Sequence, residues 1–359
     1  PAAGPRRYAG EPNPVSTQSA LNAQLVADWE LLGNARHGQF FYTITNRDRT
    51  FGARLAGAIA RQFGDAGLHA NTDLAGGNGK GGEVLDIRRV GSYQVLSLTA
   101  PGISDIARPG HFVTLGIGGE ESSMLLRRAF AIHQVQSRGV YGGTLDVVIG
   151  VHGKGTRWLS ERRRHDVIDI VGPLGRPFIL PKERVACVLV GGGYGSAPMF
   201  MLAEQLRERG CRVDVVVGAA TEERLFGVLE LKRLASTLTI TTDDGSLGER
   251  GRVTDVLPEL MDRVDAALVY ACGPMGMLQA VADMATARRI YSQCAVEEAM
   301  ACGIGVCMTC VIPVVGEDGV TRMLRSCVEG PVFRGDRVRW SDVGTIPPDT
   351  LGAPVEGGH

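Results

Sequence analysis

The sequence carries almost no net charge: 38 Lys and Arg stand against 39 Asp and Glu, a formal balance of -1 at pH 7. No basic surplus exists to hold nucleic acid or an anionic membrane surface. Long hydrophobic runs are missing too. Nothing approaches the roughly 18 uninterrupted apolar residues of a membrane-crossing helix. Cysteine is scarce, eight in 359 residues, too few for a disulfide-stapled secreted scaffold, so a reducing, cytoplasmic setting is expected. Glycine is plentiful at 49, which points to many tight turns and ligand loops. The apolar share of 44% and charged share of 21% are those of a globular chain. This length accommodates two or three domains.

Half of the few cysteines are gathered in one place. Cys302, Cys307 and Cys310 are separated by four and then two residues, and Cys327 follows after sixteen more. This is the Cys-x4-Cys-x2-Cys…Cys spacing of plant-type [2Fe-2S] centres. Four thiolates converging on two irons need a tightly wrapped loop, and Gly303 and Gly305 between them permit backbone conformations that a Cβ would block. Four buried inert cysteines are one alternative. Tetrahedral zinc is another, although paired Cys-x2-Cys units suit it better than this spacing. An iron–sulfur cluster moves single electrons, so a donor and an acceptor are expected nearby.

Residues 1–82 form an N-terminal extension. Positions 1–14 are rich in Pro, Gly and Arg. Leu21, Leu25, Trp29 and Leu32 predict one helix; Phe51, Leu55, Ile59 and Phe63 predict a second. A glycine-rich linker, 75–82, follows. The stretch from Asn46 to Leu68 resembles the opening of the C-terminal glycine-repeat domain of glutamate synthases, although the repeats that should follow are absent.

From Glu83 to about residue 180, short β-rich runs separated by turns predict a small antiparallel barrel. Arg127-Arg128-Ala129-Phe130-Ala131 offers a bidentate clamp for a diphosphate and an aromatic two residues on. Gly153-Lys154-Gly155-Thr156 offers a glycine turn at a helix start, a place for an anion. Ordinary surface arginines and an ordinary turn are the plain alternatives.

Residues 183–292 predict an α/β unit. Val185–Val190 is a continuous apolar run, as in a parallel strand buried on both faces. It leads into Gly191-Gly192-Gly193-Tyr194-Gly195-Ser196 and a helix. Residue 196 is Ser where the dinucleotide fingerprint has its third glycine. Asp243-Asp244-Gly245-Ser246 and Cys272-Gly273-Pro274 close two later strands on the same side. Thr221-Glu222-Glu223, acidic rather than basic, favours NAD over NADP. A cluster domain at 293–345 and a tail at 346–359 complete the expected layout.

Taken in this order, barrel, glycine-loop unit and four-cysteine loop resemble the electron-transfer subunit of class 1B dihydroorotate dehydrogenase, within the ferredoxin–NADP reductase superfamily. The similarity spans about 84–345. It implies FAD contacts at Arg128, Ala129, Phe130, Ala131, Val148, Ile149, Gly150, Gly155 and Thr156. It implies pyridine-nucleotide contacts at Gly191, Gly192, Gly193, Gly195, Asp243, Gly245, Gly273 and Pro274, with Cys272 beside the nicotinamide. It implies Cys302, Cys307, Cys310 and Cys327 as cluster ligands. Ala131 departs from the family's Ser, removing a hydroxyl near the flavin.

The expected fold is therefore a multidomain α/β + β chain: flavin-binding barrel, Rossmann-like nucleotide domain, small [2Fe-2S] domain and helical N-terminal extension. The expected function is electron transfer between NAD(H) and an FMN-containing partner subunit in a hetero-oligomer, through FAD and the cluster, serving pyrimidine synthesis. Electron input to another oxidoreductase, glutamate synthase-like, hydrogenase or transhydrogenase, is one alternative. A redox-sensing regulator is another; a DNA-binding helix with a basic patch would favour it, and neither is evident.

Overall fold

The structure is a computed structural model that describes residues 81–118, 124, 126–136 and 142–353. The two helices expected in the N-terminal extension, the Asn46–Leu68 stretch and the last six residues of the tail lie outside them.

The first unit is a seven-stranded antiparallel sheet. Its strands are β1 (Gly82–Val90), β2 (Tyr93–Thr99), β3 (Phe112–Leu115), β4 (Arg128–Gln136), β5 (Thr144–Gly150), β6 (Val167–Ile168) and β7 (Ile170–Leu174). They lie in the order β6-β1-β2-β5-β4-β3-β7. The sheet's two edges, β6 and β7, are separated in sequence by Asp169 alone, so one stretch of chain brings the edges together and nearly closes a barrel. Strand periodicity fills it: Leu145, Val147 and Ile149 alternate inward along β5. Each such side chain contributes about 2 kcal/mol on burial. Helix α1 (Ile103–Ile106) adds Ile103 to this core, and α2 (Lys154–Ser160) follows β5.

The second unit is a doubly wound sheet in the order β11-β10-β9-β8-β12-β13-β16. Its strands are β8 (Ala186–Gly192), β9 (Arg212–Ala219), β10 (Thr237–Thr242), β11 (Glu249–Arg250), β12 (Leu268–Cys272), β13 (Tyr291–Ala295) and β16 (Val332–Arg334). All neighbours are parallel except β16, which runs antiparallel to β13. Helices α3 (Met199–Glu208) and α4 (Val228–Leu234) pack with one apolar cluster, α5 (Val253–Val264) and α6 (Met275–Ala287) with the other. Strand β8 feeds both: Cys187 and Leu189 on one side, Val188 and Val190 on the other. That is why its sequence is a continuous apolar run.

The third unit is a hairpin, β14 (Val311–Val315) with β15 (Thr321–Arg325), preceded by the cysteine loop. The boundary expected at 292 falls inside β13, and β16 returns from the cluster segment to the nucleotide sheet. Polar residues conceal β13 in the sequence. Ser292 and Gln293 are buried in it, and the Gln293 amide accepts from Ile179 N and donates to Ile179 O, both at 2.8 Å. Barrel and sheet are pinned by His133 of β4, whose Nδ1 lies 2.8 Å from Ala197 O. Among the described residues, no helix is long and apolar enough to cross a membrane.

Candidate functional site

Three sets of residues come together. The first is the cysteine loop. Cys307, Cys310 and Cys327 are buried and Cys302 is half-buried, beside Phe112 of β3 and Leu174 of β7. Backbone amides are aimed at the sulfurs: Ile304, Val306 and Cys307 N–H at Cys302 Sγ (3.5, 3.4 and 3.4 Å), and Gly305 N–H at Cys327 Sγ (3.1 Å). The wrap depends on Gly303 and Gly305 at φ 71 and 82. A Cβ on Gly303 would meet Thr114 Cγ2 at 2.7 Å, and one on Gly305 would meet Val328 Cγ2 at 2.5 Å.

The cysteines also interact directly. Hydrogen bonding to Cys327 is the first cause lowering the Cys302 thiol to about 4 and the Cys310 thiol to about 7; the same contacts raise Cys327. The buried Ser326 hydroxyl, next to Cys327, has no protein partner. Among the described residues no three ligating side chains surround a single ion position. A two-iron cluster takes its four thiolates in pairs, one pair to each iron, so it does not require that arrangement. Glycine wrap, amides on sulfur and neighbouring thiols fit a [2Fe-2S] group.

The second set lies on the barrel. The two arginines at 127 and 128 have separate tasks. Arg127 is bound to Asp169, Thr114 Oγ1 and Thr114 O, tying β4 to its neighbours. Arg128 donates to Leu126 O (2.8 Å) and stands against the first turn of α2. A Cβ on Gly155 would lie 3.1 Å from its Nε and 3.2 Å from its Nη2. Guanidinium and first-turn N–H groups together fit a diphosphate. Thr156 closes the turn ahead of α2. Its Oγ1 accepts from His152 N (3.0 Å) and Gly153 N (3.1 Å) and donates to Gly153 O (3.2 Å). Its hydroxyl therefore shapes the turn, leaving its backbone N–H for a ligand.

Along β4, Phe130 is half-buried and packs on the barrel core opposite Val113. Ala129 and Ala131 are exposed and pair with Thr114 and Phe112, the residues touching the cysteine loop. On β5, Ile149 points into the barrel core and Val148 into the interface with the second unit, so they can meet a cofactor mainly through their backbone, as Gly150 can.

The third set occupies the crevice where strand order reverses, between β8 and β12. Here the glycine loop and the loop after β12 touch backbone to backbone. A Cβ on Gly195 would meet Cys272 O at 2.6 Å, and one on Gly192 would meet Pro274 Cδ at 2.8 Å. Gly273 belongs to the same contact, where an added Cβ would meet Gly192 Cα at 3.0 Å; Gly191 packs on Ser196 within the glycine loop, and Gly193 faces the Tyr93 hydroxyl at 3.4 Å. Cys272 is half-buried at its edge, and burial, then Glu297, pushes its thiol up to about 12. Further along, Asp243 N donates to Ala219 O (3.1 Å), and Ser246 Oγ accepts from Glu222 N (2.8 Å). The Asp243–Gly245 loop thus rests on the acidic turn after β9. Burial in the strand cores accounts for Cys187, Cys211 and Cys294.

Sequence reasoning missed Tyr194 and Glu297. The Tyr194 hydroxyl donates to the Glu297 carboxylate, and its ring stands edge-on to Tyr93 at 5.8 Å. Burial first, then Glu297, raises this phenol above its ordinary range. Tyr194 sits inside the glycine loop and Glu297 just ahead of the cysteines; an aromatic among glycines was the only local signal.

The comparisons agree with this geometry. Residues 297–339 match the iron–sulfur cluster binding domain of dihydroorotate dehydrogenase B, and 189–283 match the oxidoreductase NAD-binding domain. The electron transfer subunit of dihydroorotate dehydrogenase B (NAD(+)) from Desulforamulus reducens is 33% identical over 264 residues, covering 72% of this chain and 99% of that one. Its counterpart from Geobacillus thermodenitrificans is 37% identical over 245 residues, covering 68% and 91%. A solved NADH-dependent reduced ferredoxin–NADP oxidoreductase, studied for flavin-based electron bifurcation, is similar at TM-score 0.64 and 29% identity. It covers 75% of this chain and 92% of that one.

Proposed function

The chain belongs to the family of dihydroorotate dehydrogenase B electron transfer subunits, and from that premise we propose that it passes electrons between NAD(H) and a partner flavoprotein. FAD, when bound, would supply the conversion between a hydride's two electrons and the single electrons that a [2Fe-2S] cluster carries. The observation that carries this reading is the meeting of the three sets. Gly303 of the cysteine loop packs on Thr114 of the barrel, and Glu297 at the start of that loop's segment bonds Tyr194 in the nucleotide crevice.

In this reading Arg128 and the first-turn amides of α2 hold the FAD diphosphate. The Val148–Gly150 backbone and the Ala129–Ala131 stretch of β4 border the rest of the cofactor. The Gly191–Gly195 loop, Asp243, Gly245, Gly273 and Pro274 hold the nucleotide, with neutral Cys272 beside the nicotinamide. Cys302, Cys307, Cys310 and Cys327 hold the cluster. Thiolate ligands call for a reducing cytoplasm. The partner is an FMN-containing dihydroorotate dehydrogenase subunit in a hetero-oligomer. A second reading, a glutamate synthase-like partner, is favoured by the Asn46–Leu68 stretch alone.

Anaerobic affinity purification from the native host tests the assignment. Stoichiometric recovery of a dihydroorotate dehydrogenase subunit, with NADH formed from dihydroorotate only when both chains are present, is the expected result. Recovery of a different flavoprotein would keep the carriers and replace the pathway.

A further inference from the structure

The peptide between Gly305 and Val306 is held on both sides. Its N–H donates to Cys302 Sγ at 3.4 Å, and its carbonyl oxygen accepts from Arg325 Nη1 at 2.9 Å. The preceding peptide donates its N–H to Cys327 Sγ at 3.1 Å. Arg325 ends β15, two residues before Cys327. The rest of its guanidinium grips one carboxylate: Nε to Glu329 Oε2 at 3.1 Å and Nη2 to Glu329 Oε1 at 2.5 Å. Glu329 Oε2 also accepts from Arg325 N at 2.8 Å. The pair is one-third exposed or less, 33% for Arg325 and 22% for Glu329, so solvent screens it only partly.

We propose that Arg325 and Glu329 are positioning residues that set the cluster's reduction potential in opposite directions. The inference rests on the [2Fe-2S] reading above. Reduction adds negative charge at the sulfurs. A guanidinium on the carbonyl end of a peptide polarises that peptide and strengthens the N–H bond it gives to sulfur at its other end. Charge and hydrogen bonding to the sulfurs are the terms that tune such clusters. Arg325 therefore favours the reduced form. Glu329 draws on the same guanidinium and opposes it.

A pair that merely braced the loop would give no such antisymmetry, and this decides the test. The full-length protein and its R325Q, R325K and E329Q variants are loaded anaerobically and assayed for iron and acid-labile sulfide. Midpoint potentials are then read by EPR-monitored redox titration. The expected result is a lower potential in R325Q, a higher one in E329Q, and an intermediate one in R325K, which keeps the charge and loses the fork. Shifts of the same sign in R325Q and E329Q, or none with the cluster at full occupancy, overturn the proposal. So does loss of the cluster from R325Q while R325K and E329Q titrate as the unmodified protein. Failure of the underlying reading looks different: the unmodified protein would then bind no iron.

Discussion

Arg128 and Gly155 are packed so closely that a single methyl group on Gly155 would come within 3.1 Å of the Arg128 Nε. It would also meet Ile117 Cδ1 at 2.5 Å. Gly155→Ala should therefore displace the guanidinium from the α2 turn, and Arg128→Gln should remove its charge. Charge-assisted hydrogen bonds contribute about 1.5–3 kcal/mol, so each variant should bind FAD about 10- to 100-fold more weakly. Flavin fluorescence titration measures this, and unchanged iron content would confine the effect to the barrel.

Cys307→Ser separates the two halves of the carrier chain. Cys307 is 5% exposed within the cysteine loop, remote in sequence from both nucleotide loops. The variant should lose reduction of the protein partner while keeping NADH-driven reduction of a dye at the flavin. Equal loss of both activities would refute the order nucleotide, flavin, cluster.

The thiol of Cys272 should be a poor nucleophile. Its shift from 9.0 to about 12 lowers the thiolate fraction at pH 8 by about a thousandfold. Iodoacetamide should leave it unmodified under conditions that label an ordinary exposed cysteine, as peptide mass mapping would reveal. NADH-to-dye turnover should show no thiol ionisation between pH 7 and 10.

Acid should weaken the fold through two histidines. Burial, then Arg108, lowers His111 from 6.5 to about 4, and burial lowers His133 against the opposing pull of the Ala197 carbonyl. Both stay neutral in the folded chain, whereas the unfolded chain takes up protons near pH 6.5. The unfolded state thus binds more protons, and stability rises with pH across this window. It is fully present above about 6.5 and is lost as pH falls toward 4. Melting temperatures across pH 4–8 should trace this fall, and His111→Gln should flatten it.

Much of this arrangement is legible where the physics is local. The apolar run into β8 and the spacing of Cys302, Cys307, Cys310 and Cys327 each impose a pattern on neighbouring residues, and the structure puts strand, glycine loop and cysteine loop there. What stayed hidden depends on partners distant in sequence. Glu297 meets Tyr194 across 103 positions, and Gln293 meets Ile179 across 114. The division of labour between Arg127 and Arg128 is set by Asp169, 42 residues on. The Gly153–Thr156 motif is likewise the same whether the Thr156 hydroxyl faces outward or closes its own turn, and its bonds to the backbone of His152 and Gly153 decide between the two.

The antiparallel return of β16 onto β13 makes the cluster unit an insertion rather than an appendix. Chain enters it from one strand of the nucleotide sheet and leaves it into that strand's neighbour. Such a unit cannot swing on a tether or be clipped off without stripping an edge from the sheet. Melting of the nucleotide domain should therefore report whether the metal is present, because the two share the β13–β16 seam and a group bound only by the folded chain stabilises it.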